Sequence, residues 1–191
     1  MSSVGEVVAA LDAGELVVIP TDTVYGLACR PDLEESVRAL SALKRRTRDQ
    51  PIALVAAGAG PLLELIPELA DSKLVRGAFT LVVPNPARRL PWLGGADTVG
   101  VRIPEVHGLG AELWARVSVV AATSANLHSG EDPARVADIP PEILAGVAAV
   151  LDAGELPGTP STVVDLTGPE PRVLREGAVP AAEALRRVMD A

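Results

Sequence analysis

The sequence predicts a single α/β domain covering residues 1–191. Two observations carry that reading. Short apolar runs alternate with amphipathic stretches without a long linker, and 191 residues suffice to bury one sizeable core. Hydrophobic residues make up 48% of the chain but aromatics only 2%, so the core is expected to rest on Val, Leu, Ile and Ala.

Val4 to Ala13 reads as a first helix, with Val7, Val8 and Leu11 inward and Gly14 as its stop. Leu16–Ile19 is an apolar run with the character of a buried strand. Asp32 to Glu35 opens a second helix with acids in its first turn and an apolar stripe of Leu33, Val37 and Leu40. Lys44 falls seven residues after Val37, on that stripe, where it is either a snorkelling helix-end lysine or a cation aimed into a cleft. Arg45, Arg46 and Arg48 follow, then a strand over Pro51–Val55. Pro61 to Val75 is helical and broken near Pro67. Strands are expected at Phe79–Val83, Thr98–Pro104, Val119–Ala122, Val147–Leu151, Thr162–Leu166 and Arg172–Arg175. Leu109 to Val117 is a short helix, Pro133 to Ala145 is helical and turn-like, and Pro180 opens the last helix at its first position. Leu-Asp-Ala-Gly-Glu-Leu occurs at both 11–16 and 151–156 without a third copy, and reads as coincidence.

Composition excludes several functions. The net charge of −8 argues against a broad nucleic-acid surface, and few aromatics are available as stacking platforms for bases. The one cysteine, Cys29, rules out an internal disulfide and a thiolate zinc site. His107 and His128 lack metal-motif spacing, and no metal ligand set is expected. The first residues lack the basic start and apolar core of a signal peptide, and no apolar run reaches spanning length. A soluble, cytoplasmic protein without membrane contact is expected.

Four strand ends carry polar residues that a core would not want. Ile19 runs into Pro20-Thr21-Asp22-Thr23-Val24-Tyr25-Gly26-Leu27. Pro20 ends strand pairing, and Thr21 and Thr23 share one wall if the chain stays extended. An apolar strand runs straight into Thr123-Ser124-Ala125-Asn126, and Pro160-Ser161-Thr162 precedes Val163-Val164-Asp165. Arg102 sits within an otherwise buried β run, costly unless paired, and suited to a ligand carboxylate or phosphate. With Lys44, Arg46 and Arg175, these residues imply an anionic, polyvalent ligand, most simply a nucleoside triphosphate with a small polar partner. No GxxxxGK[ST], GxGxxG, GxSxG or kinase signature is present. Phosphate binding would therefore rest on Lys and Arg side chains.

These residues resemble the YrdC-like family of threonylcarbamoyl-AMP synthases over nearly the whole chain. Pro20–Leu27 is similar to its P-T-[DE]-T-V-Y-G-L, Lys44-Arg45-Arg46 to its K-x-R, and Ser124-Ala125-Asn126 to its S-x-N. Thr98–Pro104 resembles its V-x-V-R-x-P strand. Ser161–Asp165 with Leu174–Ala178 resembles its closing S-T-V-V-D…L-R-x-G-A. The chain departs from the pattern at Thr47, at Arg76-Gly77-Ala78-Phe79-Thr80, and at Leu127-His128-Ser129-Gly130, which is one residue longer.

The resemblance implies a twisted mixed sheet flanked by helices around a deep, positively lined cavity, in the short form without an extra C-terminal domain. It implies synthesis of threonylcarbamoyl-adenylate and pyrophosphate from L-threonine, bicarbonate and ATP, with Mg²⁺ bound alongside ATP. A downstream tRNA threonylcarbamoyl transferase complex would consume the product, with allowance for a weak tRNA contact. By position, Thr21, Arg102 and Ser161 would hold threonine, with Thr123 close by. Lys44, Arg46, Thr98, Ser124 and Arg175 would hold ATP. Lys44, Arg46, Ser124 and Asn126 would form the catalytic group, Asn126 orienting the phosphates. Asp22, Asp165 and His107 are candidates for a general base. Two other classes compete: a non-catalytic RNA-binding module using the same cavity, and a carbamoyl-transfer domain like that of hydrogenase maturation.

Overall fold

The computed structural model describes residues 1–46, 50–95, 97–127 and 130–191. Thr47, Arg48, Asp49, Ala96, His128 and Ser129 lie outside the described residues, and with them the expectations placed on Thr47, Arg48, His128 and Ser129.

The chain builds one mixed sheet with helices on both faces. α1 (Val4–Asp12) starts with a capping box: Ser3 Oγ accepts the Glu6 N–H, and the Glu6 carboxylate accepts the Ser3 N–H at 2.7 Å. β1 (Val17–Ile19) and β2 (Gly26–Cys29) pair antiparallel, joined by the polar stretch at 20–25. α2 (Glu34–Leu43), β3 (Ala53–Ala56) and α3 (Ala59–Leu65) follow, and a 3₁₀ turn at Pro67–Asp71 marks the break expected at Pro67. Then come β4 (Phe79–Pro84), β5 (Thr98–Arg102), α4 (Gly108–Trp114) and β6 (Val119–Ser124). The chain closes with α5 (Pro141–Ala145), β7 (Ala149–Val150), β8 (Thr162–Asp165), β9 (Arg172–Arg175) and α6 (Ala181–Met189). The strand order is β7-β1-β2-β6-β3-β5-β4-β8-β9, with β1–β7, β3–β5 and β4–β8 parallel and the other neighbours antiparallel.

Strand alternation sends side chains to two cores. Leu16, Val18, Leu54, Ala56 and Ala121 join the larger one, under α2, α3, α5 and α6. Val17, Ile19, Val55, Val120 and Ala122 join the smaller one, under α1 and α4. Among the described residues no helix is long and apolar enough to cross a membrane.

Four differences from the sequence reading concern the elements around the site. β2 lies within and just after the polar stretch. Gly, Leu, Ala and Cys have little strand propensity, and pairing with β1 and β6 makes the strand. Leu33 is exposed, because it is the N-cap of α2 and not part of its inward stripe. β6 continues through Thr123 and Ser124, which pair with Leu27 and Gly26. Pro180 is the N-cap of α6 and not its first residue.

Candidate active site

The polar stretch after β1 folds as a hydroxyl-centred turn, not as an extended wall. Thr21 Oγ1 donates to the Val24 carbonyl (2.7 Å) and accepts the N–H groups of Thr23 and Val24. Thr23 Oγ1 lies 3.0 Å from it. The chain's one tyrosine anchors the turn. The buried Tyr25 hydroxyl donates to the Gly154 carbonyl (2.7 Å), with the Asp152 carboxylate at 3.0 Å, and accepts the Ala153 N–H. Burial pushes this phenol up to about 12. The second copy of Leu-Asp-Ala-Gly-Glu-Leu therefore supplies the support for Tyr25, whereas the first ends α1.

The end of α2 explains why the cations sit at i and i+2. Lys44 is the C-cap and Arg45 adopts the left-handed conformation (φ 54°). The Arg46 N–H bonds to the Ser41 carbonyl and the Arg45 N–H to the Ala42 carbonyl, a Schellman closure. The reversal exposes Arg45 and turns Lys44 and Arg46 inward. Arg45→Gly is expected to raise stability by about 0.5–1 kcal/mol, since only the non-glycine residue carries left-handed strain. Activity should stay within about twofold. Thermal melting and a turnover assay check both.

Lys44 is buried, and its Nζ donates to the Ser124 carbonyl and to Asn126 Oδ1 (2.7 Å). Ser124 Oγ donates to the same Oδ1 at 2.8 Å. Asn126 Nδ2 donates to the Gly130 carbonyl (2.7 Å) and to Asp132 Oδ1 (3.1 Å). Asn126 thus spends both ends of its amide holding Lys44 and the 130–132 loop. Arg46 reaches Thr123 Oγ1 (2.6 Å) and the Pro51 carbonyl (3.1 Å). Burial, followed by the neighbouring Arg46 charge, lowers the Lys44 ammonium to about 8, and burial also lowers Arg46.

On the far side, Arg102 at the end of β5 is 9% exposed. Its Nη2 donates to Asp22 Oδ1 and to Thr23 Oγ1 (2.7 Å). Ser161 Oγ and Thr80 Oγ1 share a 2.8 Å bond, and Arg175 Nη2 donates to the Ser161 carbonyl at 2.8 Å. Gly177 makes that corner fit. A Cβ there would fall 2.2 Å from the Pro160 oxygen and 2.7 Å from the Ser161 carbonyl.

Most of these groups line one cavity of about 570 Å³. It lies beside the smaller core, shares Val55 and Ala122 with it, and extends over the sheet face as well as the strand ends. Among the described residues, Lys44, Arg46, Arg102 and Arg175 face it, against one carboxylate, Asp132. A chain of net charge −8 has therefore gathered four cations around one hollow. Thr21, Thr123, Ser124, Asn126 and Ser161 line it too, as expected.

Thr98 is the exception. It lies on the same face of β5 as Arg102 but four residues upstream, about 13 Å along the strand, outside this lining. Asp22, Asp165 and His107 also stand outside it. Asp22 is bonded to Arg102, Asp165 to Thr167 and Arg172, and His107 is the N-cap of α4. Sequence reasoning missed Thr80 and Asp132. Thr80 was findable as the polar residue between Phe79 and Leu81, which face the larger core.

Fold and site together define an α/β protein whose cavity gathers cationic side chains beside small polar groups. The chain belongs to the Sua5/YciO/YrdC family, described as telomere recombination, whose pattern matches residues 9–177. A threonylcarbamoyl-AMP synthase of Pyrococcus abyssi is 34% identical over 180 residues, covering 89% of this chain and 52% of its own length. A Mycobacterium tuberculosis protein provisionally named threonylcarbamoyl-AMP synthase is 39% identical over 181 residues, covering 90% of this chain and 82% of its own. The crystal structure of Pyrococcus abyssi Sua5 complexed with L-threonine matches with a TM-score of 0.84 at 29% identity, over 97% of this chain and 57% of that one. The chain thus spans a little over half of the archaeal protein.

Proposed function

We propose that this chain is an L-threonylcarbamoyladenylate synthase acting in the cytoplasm. One observation carries the reading: Lys44, Arg46, Arg102 and Arg175 converge on a single cavity walled by threonine and serine hydroxyls. Arg102, which shares the cavity lining with Ser161 and Thr21, receives the amino-acid carboxylate. Lys44, Arg46 and Arg175 receive the triphosphate. The relative solved with L-threonine supports a small amino acid as ligand.

In the reaction, the free amine of threonine adds to CO₂ derived from bicarbonate, giving a carbamate and releasing a proton. A carbamate oxygen then attacks the α-phosphorus of ATP, the P–O bond to the β-phosphate breaks, and pyrophosphate leaves. The protein aligns two anions and neutralises charge on the leaving phosphates. Lys44 does this as an ammonium held by Asn126 and the Ser124 carbonyl. Arg46 is fixed by Thr123.

The cavity fits Mg²⁺ carried in on the triphosphate rather than a protein cage. Among the described residues no three acidic, histidine or cysteine side chains cluster, and Asp132 is the one carboxylate on the lining. Asp132 would hold the ion, which supplies charge neutralisation at the phosphates. A tRNA threonylcarbamoyl transferase complex consumes the product, and a weak tRNA contact at the cavity mouth is compatible with its cationic lining.

Pyrophosphate release should require threonine, bicarbonate and ATP together, each omission reducing it to background. Salt-sensitive tRNA binding without threonine-dependent release would instead identify an RNA-binding module.

A further inference from the structure

Asp22 stands outside the cavity, yet it holds the guanidinium at the cavity's amino-acid end. Arg102 Nη2 spends both of its protons on the protein, one on Asp22 Oδ1 and one on Thr23 Oγ1. Asp22 is held in turn, its Oδ2 accepting the Glu105 N–H at 3.0 Å. The two side chains are 9% and 10% exposed, so the pair is almost fully withdrawn from water. Arg102 Nε is buried and has no acceptor among the described residues, although Arg102 itself lines the cavity. The guanidinium is therefore clamped on one nitrogen and left with donor capacity elsewhere.

The clamp also sets local charge. Lys44, Arg46 and Arg175 have no carboxylate within ion-pair distance among the described residues, whereas Arg102 does. An unpaired Arg102 would be a fourth phosphate-binding cation. Paired, Arg102 and Asp22 are together close to neutral, so Arg102 offers directed N–H groups while Arg175, bonded to the Ser161 carbonyl, carries the free positive charge nearby.

We propose that Asp22 is a positioning and specificity-determining residue that reserves Arg102 for the carboxylate of a small zwitterionic amino acid and keeps phosphate groups at the Lys44–Arg46 side. The inference rests on the synthase reading for the identity of the two ligands. Asp22 is not a base in this scheme, because it lies off the cavity lining with its carboxylate turned to Arg102 and the Glu105 N–H.

The test compares the full chain with Asp22→Asn, Asp22→Glu and Thr23→Val in steady-state pyrophosphate release. Asp22→Asn should raise the KM for threonine about tenfold while kcat at saturating threonine stays within about threefold and the KM for ATP is unchanged. Inorganic pyrophosphate should compete with ATP alone in the wild type and with threonine as well in Asp22→Asn. Asp22→Glu should recover most of the threonine KM, and Thr23→Val, which removes a neutral acceptor, should shift it by only about twofold to threefold. An unchanged threonine KM in Asp22→Asn overturns the proposal. So does a parallel rise in both KM values, which marks a general loss of structure. Should Asp22→Asn not fold, Asp22→Glu decides: the wild-type inhibition pattern with a threonine KM within threefold supports the proposal, and a loss of both overturns it. Absence of threonine-dependent release in the wild type would instead sink the synthase reading itself, and is visible before any variant is made.

Discussion

Replacing Lys44 by alanine should lower threonine-dependent pyrophosphate release by about 10²–10³-fold, the usual loss when one preorganised charge-stabilising donor is removed. The fold should survive. Lys44 lies at the end of α2, and its removal takes away a buried cation whose desolvation opposes folding. Asn126 Oδ1 keeps its bond from Ser124 Oγ, so one carbonyl, that of Ser124, loses its partner. Melting within a few degrees of the wild type, together with lost turnover, is the expected pair of results. Full activity in this variant would overturn the proposed function.

The same lysine predicts a pH dependence whose sign differs between activity and stability. Its ammonium falls from the ordinary 10.5 to about 8 in the folded protein. As pH rises through about 8, the free enzyme loses the cation that meets the phosphates, so kcat/KM for ATP should fall about tenfold per pH unit beyond it. Bound triphosphate favours the charged form, so kcat at saturating ATP should decline at higher pH than kcat/KM. Stability moves the other way. Between about 8 and 10.5 the unfolded chain binds more protons at this site than the folded one, so this residue's contribution to stability rises with pH across that window. Initial-rate profiles at limiting and saturating ATP, beside pH-dependent melting, separate the two effects.

Local periodicity made two residues of this site legible, Lys44 and Arg102, while the roles of the others rested on the family resemblance. Lys44 could be set on the Val37 and Leu40 stripe by helical spacing, which left it either snorkelling outward or aimed into a cleft, and the structure buries it with both stripe residues. Arg102 stood out as a charge within an apolar strand, whose burial requires a partner. The identity of that partner was not legible. Asp22 and Arg102 are 80 residues apart, and the hydrogen bond between them depends on the strand order β2-β6-β3-β5. β2 escaped for a related reason: four residues of weak propensity become a strand only when β1 and β6 flank them. Thr98 shows the opposite limit. It shares a strand face with Arg102, but being on one face does not bring a residue into a cavity about 13 Å farther along.

Removing Arg102 should have the second large effect, on stability and threonine binding together. Arg102→Met leaves Asp22, 10% exposed, without its counter-charge, and breaking a buried pair on one side costs about 3–5 kcal/mol. Loss of the guanidinium also removes the proposed carboxylate partner, so threonine affinity should fall at least about 100-fold. A destabilised protein that binds nothing is ambiguous, and Asp22 resolves the ambiguity. Adding Asp22→Asn to Arg102→Met removes the stranded charge, so the double variant should regain several kcal/mol of the lost stability, as apolar or neutral replacements of whole buried pairs do. Threonine binding, measured calorimetrically, should not return with it. Recovery of both would mean that Arg102 serves the fold alone, and that the amino-acid carboxylate is held by another residue of the cavity.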